Sequence, residues 1–224
     1  MIVMKNKKIA IFDLDGTIDK GDTFLAFMIR IFFKSPKRWI KFPNLIFGYF
    51  TYIINPNFVR TDLKLLFLKT ILKNQNKKFI DSEAKLFAKE RLANFSNKNI
   101  LKTILEYNKE GALLIIASGS LDVYVKYFAE LLKINEFICT ELEIKSMKFT
   151  GFFENDNCVG EKKYDLINQH LKDNKRLWED VVFFSDHHSD LPVFIASKDI
   201  YAVRPTKKLL ELLKIRKKYF TIIK

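Results

Sequence analysis

An apolar run of four residues, Ile9-Ala10-Ile11-Phe12, ends abruptly in Asp13-Leu14-Asp15-Gly16-Thr17. The run is short, rich in β-formers and soon followed by glycine, the pattern of a buried strand. Both aspartates therefore stand where a strand ends, and in an open α/β sheet ligands bind outside the carboxyl ends of the strands. On a continuing strand Asp13 and Asp15 would face opposite ways. Gly16 lets the chain turn at once, so one carboxylate can attack a centre that the other also reaches. Two carboxylates that close repel unless a proton or a cation sits between them, which makes a divalent metal the natural third member. A strand followed by an Asp-Gly turn is also a common structural device, so the rest of the chain has to decide.

The 224 residues suffice for one domain with an insert, or a core with a small cap. At 48% hydrophobic and 29% charged, the composition is that of an ordinary globular chain. Cys139 and Cys158 offer neither a disulfide framework nor zinc spacing, so a reducing cytoplasm is the simplest home. The start, Met1 to Lys8, is polar and basic and carries no signal-peptide core. A formal net charge of +13 favours anionic partners: nucleic acid, acidic lipid or a phosphorylated substrate. The basic residues are scattered and no nucleic-acid-binding motif is present, so no nucleic-acid partner is expected.

The segment from Asp22 to about Phe95 reads as all helical. Asp22 or Thr23 can cap an apolar helix over 24–33. A basic turn, Lys34 to Arg38, leads into the most hydrophobic stretch of the chain, Trp39 to Ile54, interrupted by Pro43 and Gly48. It falls short of the about 20 apolar residues that a spanning helix needs. It fits either a buried helix pair or an interfacial anchor, its aromatics flanked by Lys34, Lys37, Arg38 and Lys41. Asn55-Pro56-Asn57 is a turn, and amphipathic helices follow over 58–72 and 79–92. Such an insertion at the carboxyl edge of a sheet is placed to act as a lid.

Strands and helices alternate from Asn97 onward. Ala112 to Ala117 is a strand without polar residues, as a parallel sheet requires. It runs into Ser118-Gly119-Ser120 and a helix over 121–133, where a hydroxyl, a glycine and helix N–H groups make an anion site. A strand over 137–140 and a hairpin with Ser146-Met147 at its tip come next, then a helix from Glu161 to about His170 carrying Lys162 and Lys163 on its first turn. The strand 180–184 ends in Ser185-Asp186-His187-His188-Ser189-Asp190. Adjacent histidines on a turn are expected to point apart, which argues against a histidine metal site. Ile200 to Val203 is read as the last strand, followed by a helix over 207–214 and a basic, aromatic tail that is either solvated or a contact for an anionic surface.

Asp-x-Asp-Gly-Thr at 13–17, the Ser118 turn, Gly160-Glu161-x-Lys163 and Asp186-x-x-x-Asp190 together resemble the four motifs of the haloacid dehalogenase superfamily of phosphatases. The order of motifs and the long helical insert resemble its subfamily IB, the phosphoserine-phosphatase-like branch. That resemblance implies an α/β fold: a Rossmann-like parallel sheet core from 1–19 and 97–224, with a helical C1-type cap over 20–96. It implies that Asp13 is the nucleophile forming an aspartyl-phosphate and Asp15 the general acid/base. Ser118, Gly119 and Lys163 would bind the phosphoryl group, Lys163 being selected over Lys162 by family register. Mg²⁺ would be held by Asp13, Asp15 and Asp186, and Asp190 would orient the site. The cap shows no acid–arginine pair to grip an amino acid, since Arg30, Arg38 and Arg60 stand among apolar residues. Its hydrophobicity is instead similar to that of phosphatidylglycerophosphatase C. A lipid phosphate at the inner face of the membrane, with peripheral contact through 34–54, is therefore the expected substrate setting. A soluble phosphatase of a small metabolite and a non-catalytic membrane-binding module are the alternatives.

Overall fold

The computed structural model describes residues 8–55, 57 and 59–224. The basic residues 1–7, Pro56 of the expected turn and Phe58 at the head of the expected helix lie outside the described residues. Strand β1 (Ile9–Phe12) is followed by the cap helices α1 (Thr23–Phe33), α2 (Phe42–Ile54), α3 (Arg60–Phe67) and α4 (Lys77–Phe95). A 3₁₀ turn (Pro36–Lys41) precedes α2, and a π-helical turn (Leu68–Leu72) extends α3. The core resumes with α5 (Lys98–Lys109), β2 (Leu113–Leu121), α6 (Asp122–Leu132), β3 (Glu136–Thr140) and the hairpin β4 (Leu142–Lys145) and β5 (Lys148–Phe153). It ends with α7 (Glu161–Asp173), β6 (Val181–Ser185), α8 (Leu191–Ala196), β7 (Asp199–Val203), α9 (Lys207–Ile215) and β8 (Thr221–Ile223).

The main sheet has the order β3-β2-β1-β6-β7-β8 and every pairing in it is parallel. Both faces are covered, which is why its strands read as unbroken apolar runs. Alternate residues feed opposite layers: Ala10 and Phe12 pack toward α5, α6 and the cap, Ile9 and Ile11 toward α7, α8 and α9. On the first face Phe12, Phe184 and Tyr201 stack across three neighbouring strands, with ring centroids 4.4 and 4.6 Å apart. These offset stacks pin the register of β1, β6 and β7, of which β1 and β6 run into Asp13 and Asp186 at their carboxyl ends.

Two expectations are corrected here. Ile200–Val203 is not the last strand, because Thr221–Ile223 of the tail pairs with β7 and Phe220 packs on the core beneath. The 39–54 stretch is no buried helix pair: it is one 3₁₀ turn and one helix, and α2 buries only Leu45 and Gly48. Gly48 is required at this crossing, since a Cβ would collide with Leu66 of α3.

The cap joins the core through two adjacent crossings of the chain, tied by Asn97 N donating to Ile18 O at 2.8 Å. Between them Asp19 is fully buried. It accepts from Gly21 N at 2.8 Å and from Arg91 Nε of α4 at 2.7 Å. Removing one partner of a buried ion pair strands the other charge. Arg91→Met is therefore expected to destabilise the fold by about 3–5 kcal/mol in urea unfolding. Adding Asp19→Asn to that variant should recover part of the loss; a double variant no more stable than the single would contradict a buried-charge origin.

Candidate active site

β6, β1 and β2 are neighbours in the sheet, so their carboxyl ends bring Asp186, Asp13 and Ser118 to one place. They line a cleft of about 350 Å³ together with Asp15, Gly119, Lys163, Asp190 and residues of the cap. Asp13 is buried, and its backbone N–H donates to Phe184 O at 2.9 Å, locking the turn to β6. Lys163 Nζ donates to Asp13 Oδ1 at 3.0 Å and to Asp190 Oδ2 at 2.8 Å. Asp190 in turn accepts from Ser185 Oγ at 2.7 Å. Gly160, with φ of +64°, starts α7 so that Lys163 turns inward while Lys162 stays in solvent, paired with Asp156 at 2.7 Å.

Burial raises the pKa of Asp13, and the Lys163 ammonium opposes that shift against the nearby Asp190, Asp15 and Asp186. Burial by itself would lower the Lys163 pKa, but Asp13 and Asp190 more than reverse this and keep it charged. Asp15 looks the other way. Its carboxylate accepts from Thr23 N at 2.6 Å and Ser120 Oγ at 2.5 Å, so it sits between the cap entrance and the end of β2. Burial, followed by the charge of Asp22, raises its pKa. Ser118 is buried and its Oγ accepts from Ser120 N at 3.1 Å, which shapes the turn.

The donor set suits a hard divalent cation. Among the described residues no side-chain hydrogen bond reaches the Asp186 carboxylate, and burial, then Asp190, pushes its pKa to about 6. Gly16, at φ of +73°, leaves it room, since a Cβ there would run into the Asp186 carboxylate. Among the described residues no three His, Cys, Asp or Glu side chains form a ready-made metal cage. Mg²⁺ seldom uses one; it is held by one or two carboxylates, water and substrate phosphate. Both oxygens of the Asp15 carboxylate are already bonded, unlike those of Asp13 and Asp186.

The histidines do not point apart. His187 Nδ1 accepts from Ser189 N at 3.2 Å, and this turn lays its ring 4.0 Å from that of His188. Burial, with His188 second, lowers the pKa of His187. Contrary to the expectation from sequence, the cap holds an acid–arginine pair. Asp22 and Arg60 meet at 3.2 Å, and both line the cleft. Arg30 instead binds Glu83 and Glu90, at 2.7 and 2.6 Å, away from the cleft. These partners lie 38 or more residues apart, beyond the reach of local pattern.

One cleft residue escaped the sequence reading altogether. Lys64 of α3 is buried. Its Nζ donates to Gly119 O at 2.7 Å and to Asn157 Oδ1 at 3.0 Å. Asn157 also donates to Thr61 Oγ1 at 3.1 Å, so α3 is tied to the loop before α7 twice over. The signal was available: Lys64, Leu68 and Ile71 occupy one inward stripe at i, i+4 and i+7. Burial lowers the Lys64 pKa to about 8, with Asp15 opposing the shift. Lys64 is thus charged below about pH 8 and neutral above it. A side-chain NMR titration should find one lysine near 8 that disappears in Lys64→Met. A Lys64 midpoint above 10 would contradict this environment.

Residues 10–194 match the family model of haloacid dehalogenase-like hydrolases. The chain belongs to that family. A protein of unknown function from Bordetella pertussis Tohama I superposes with a TM-score of 0.81 at 18% identity, over 98% of this chain and 99% of that one. A phospho-aspartyl intermediate analogue of phosphoserine phosphatase superposes with a TM-score of 0.67 at 19% identity, over 98% and 95%. A substrate-bound phosphoserine phosphatase complex gives 0.65 at 19%, over 98% and 94%. No match was found among curated proteins. The fold is therefore the α/β core of a haloacid dehalogenase-like hydrolase, of the kind seen in phosphoserine phosphatase structures.

Proposed function

We propose that this chain hydrolyses a phosphomonoester by way of an aspartyl-phosphate on Asp13, with a lipid phosphate as the ester. The observation that carries the reading is the division of labour between the first two aspartates. Asp13 is held by Lys163, while Asp15 is turned to the cap side by Ser120 and Thr23. Asp13 attacks phosphorus as the bond to the leaving alcohol breaks. Asp15, whose raised pKa favours its acid form, gives that alcohol its proton. The same carboxylate then takes a proton from water, which attacks the phosphorus and releases Asp13. Ser118, the Gly119 turn and the Lys163 ammonium would hold the phosphoryl oxygens. Asp190 and Ser185 fix Lys163 in place. Asp13 and Asp186 would hold Mg²⁺, the Asp15 carboxylate being committed to Thr23 and Ser120. When bound, the ion supplies Lewis-acid neutralisation of the phosphoryl oxygens.

The bare apolar surface of α2 supports a substrate in a membrane surface. No helix among the described residues is long and apolar enough to cross a membrane, so the contact proposed is peripheral. A second reading, a soluble phosphoserine-like metabolite, has one observation in its favour: the Asp22–Arg60 pair at the cleft can meet an amine and a carboxylate. Phosphate release from phosphatidylglycerophosphate, phosphoserine, sugar phosphates and nucleotides separates the two. Activity is expected to need Mg²⁺, to vanish with chelator, and to fall by roughly 10³-fold or more in Asp13→Asn. Near-normal turnover by pure Asp13→Asn protein would overturn the nucleophile, and preference for phosphoserine would overturn the lipid.

A further inference from the structure

From Thr23 to Thr61 the chain contains no aspartate or glutamate, yet it holds Arg30, Lys34, Lys37, Arg38, Lys41 and Arg60. The middle of this acid-free segment is the 3₁₀ turn and α2. Ile40 is 85% exposed, Phe47 76% and Ile54 78%, and Trp39, Phe42 and Phe50 are exposed beside them. At 100° per residue, Phe42, Ile46, Phe47, Tyr49, Phe50, Ile53 and Ile54 cover roughly half of the helix circumference. A helix with so wide an apolar face is ordinarily covered by something.

Next to this face lies a basin of about 640 Å³, lined by Lys34, Lys37, Arg38, Lys41 and Lys73 and by no acidic residue. Arg38 is structural there, giving its guanidinium to the carbonyls of Thr70, at 3.0 Å, and of Lys73. Lys34 lies 3.8 Å from Glu83, behind the basin. Lys37, Lys41 and Lys73 make no ion pair among the described residues, so the basin keeps unneutralised positive charge.

We propose that the 3₁₀ turn and α2 form a docking surface for an anionic bilayer: the α2 aromatics enter the interface and the adjoining lysine basin receives lipid phosphates. Charge complementarity selects this occupant. A second copy would bring one acid-free basic segment against another, whereas an anionic leaflet satisfies the apolar face and the basin together. The length agrees, since a helix of 13 residues spans about 20 Å and lies in the interface plane rather than crossing it. The surface is also connected to the catalytic cleft. α2 packs on α3, whose Leu66 meets Gly48 while its Thr61 and Lys64 line the cleft. Delivery of a lipid substrate by this route rests on the proposed function; the docking itself does not.

The test is cosedimentation of the full chain with vesicles of phosphatidylcholine alone and of phosphatidylcholine with phosphatidylglycerol. Partition to the anionic vesicles should exceed that to the neutral ones by at least about tenfold and weaken with added salt. Phe47→Glu with Phe50→Glu, and separately Lys37→Glu with Lys41→Glu, should each lower it about tenfold while circular-dichroism melting stays unchanged. No partition, equal partition to both vesicles, or unaltered variants would overturn the proposal. So would a stable dimer that is abolished by the phenylalanine changes and ignores vesicles. Vesicle binding without phosphate release from any ester would leave the docking intact and sink the hydrolase reading, and the reverse pattern would do the opposite.

Discussion

The catalytic end of this molecule depends on one buried cation among carboxylates. Asp13, Asp15, Asp186 and Asp190 come together because parallel strands all end at the same edge. Among the described residues only Lys163 makes direct ion pairs with any of them, bridging Asp13 and Asp190. That ammonium opposes the rise that burial imposes on the Asp13 carboxyl. At the strand ends four carboxylates surround that one ammonium, while Lys20, Arg60, Lys64 and Arg204 line the same cleft. On the proposed reading, that local cluster of carboxylates is what a divalent ion would neutralise.

The cap is fastened by polar ties of the same buried kind. Asp19 and Arg91 hold its root, Thr23 N reaches Asp15, and Lys64 reaches the Gly119 carbonyl. The third tie attaches a helix of the lid to the turn that would bind phosphate. Lid position and phosphate site are therefore mechanically joined, through a lysine whose charge weakens above neutral pH. The same helical insert also carries the apolar helix α2, so on the proposed reading one small insert would serve both substrate delivery and substrate enclosure.

The sequence showed this architecture unevenly, for physical reasons. Strand-end acids were easy to find, because fully buried parallel strands are unbroken apolar runs and the first polar residues after them mark the ligand edge. Lys163 and Lys162 were indistinguishable by residue type, and only the family register separated them; in the structure Gly160 sets the helix phase. Lys64 drew no reading from the sequence, although its place on the stripe with Leu68 and Ile71 marked it as inward. The Asp22–Arg60 pair could not be read, because nothing local links residues so far apart. Trp39 to Ile54 stayed ambiguous since an apolar run has the same pattern whether buried or bare; only packing decides, and here the packing stops at Leu45 and Gly48. Thr221–Ile223 was too short to stand out as a strand against a basic tail.

The most direct test of the central claim asks where the phosphoryl group goes. An Asp15→Asn protein given p-nitrophenyl phosphate with Mg²⁺ can still accept the phosphoryl group, because that leaving group needs no proton, but it lacks the base for hydrolysis. After acid quench, peptide mass spectrometry should find one phosphoryl group, on the peptide containing Asp13. A phosphoryl group on His187 or His188, or steady release of phosphate with none on the protein, would contradict the account.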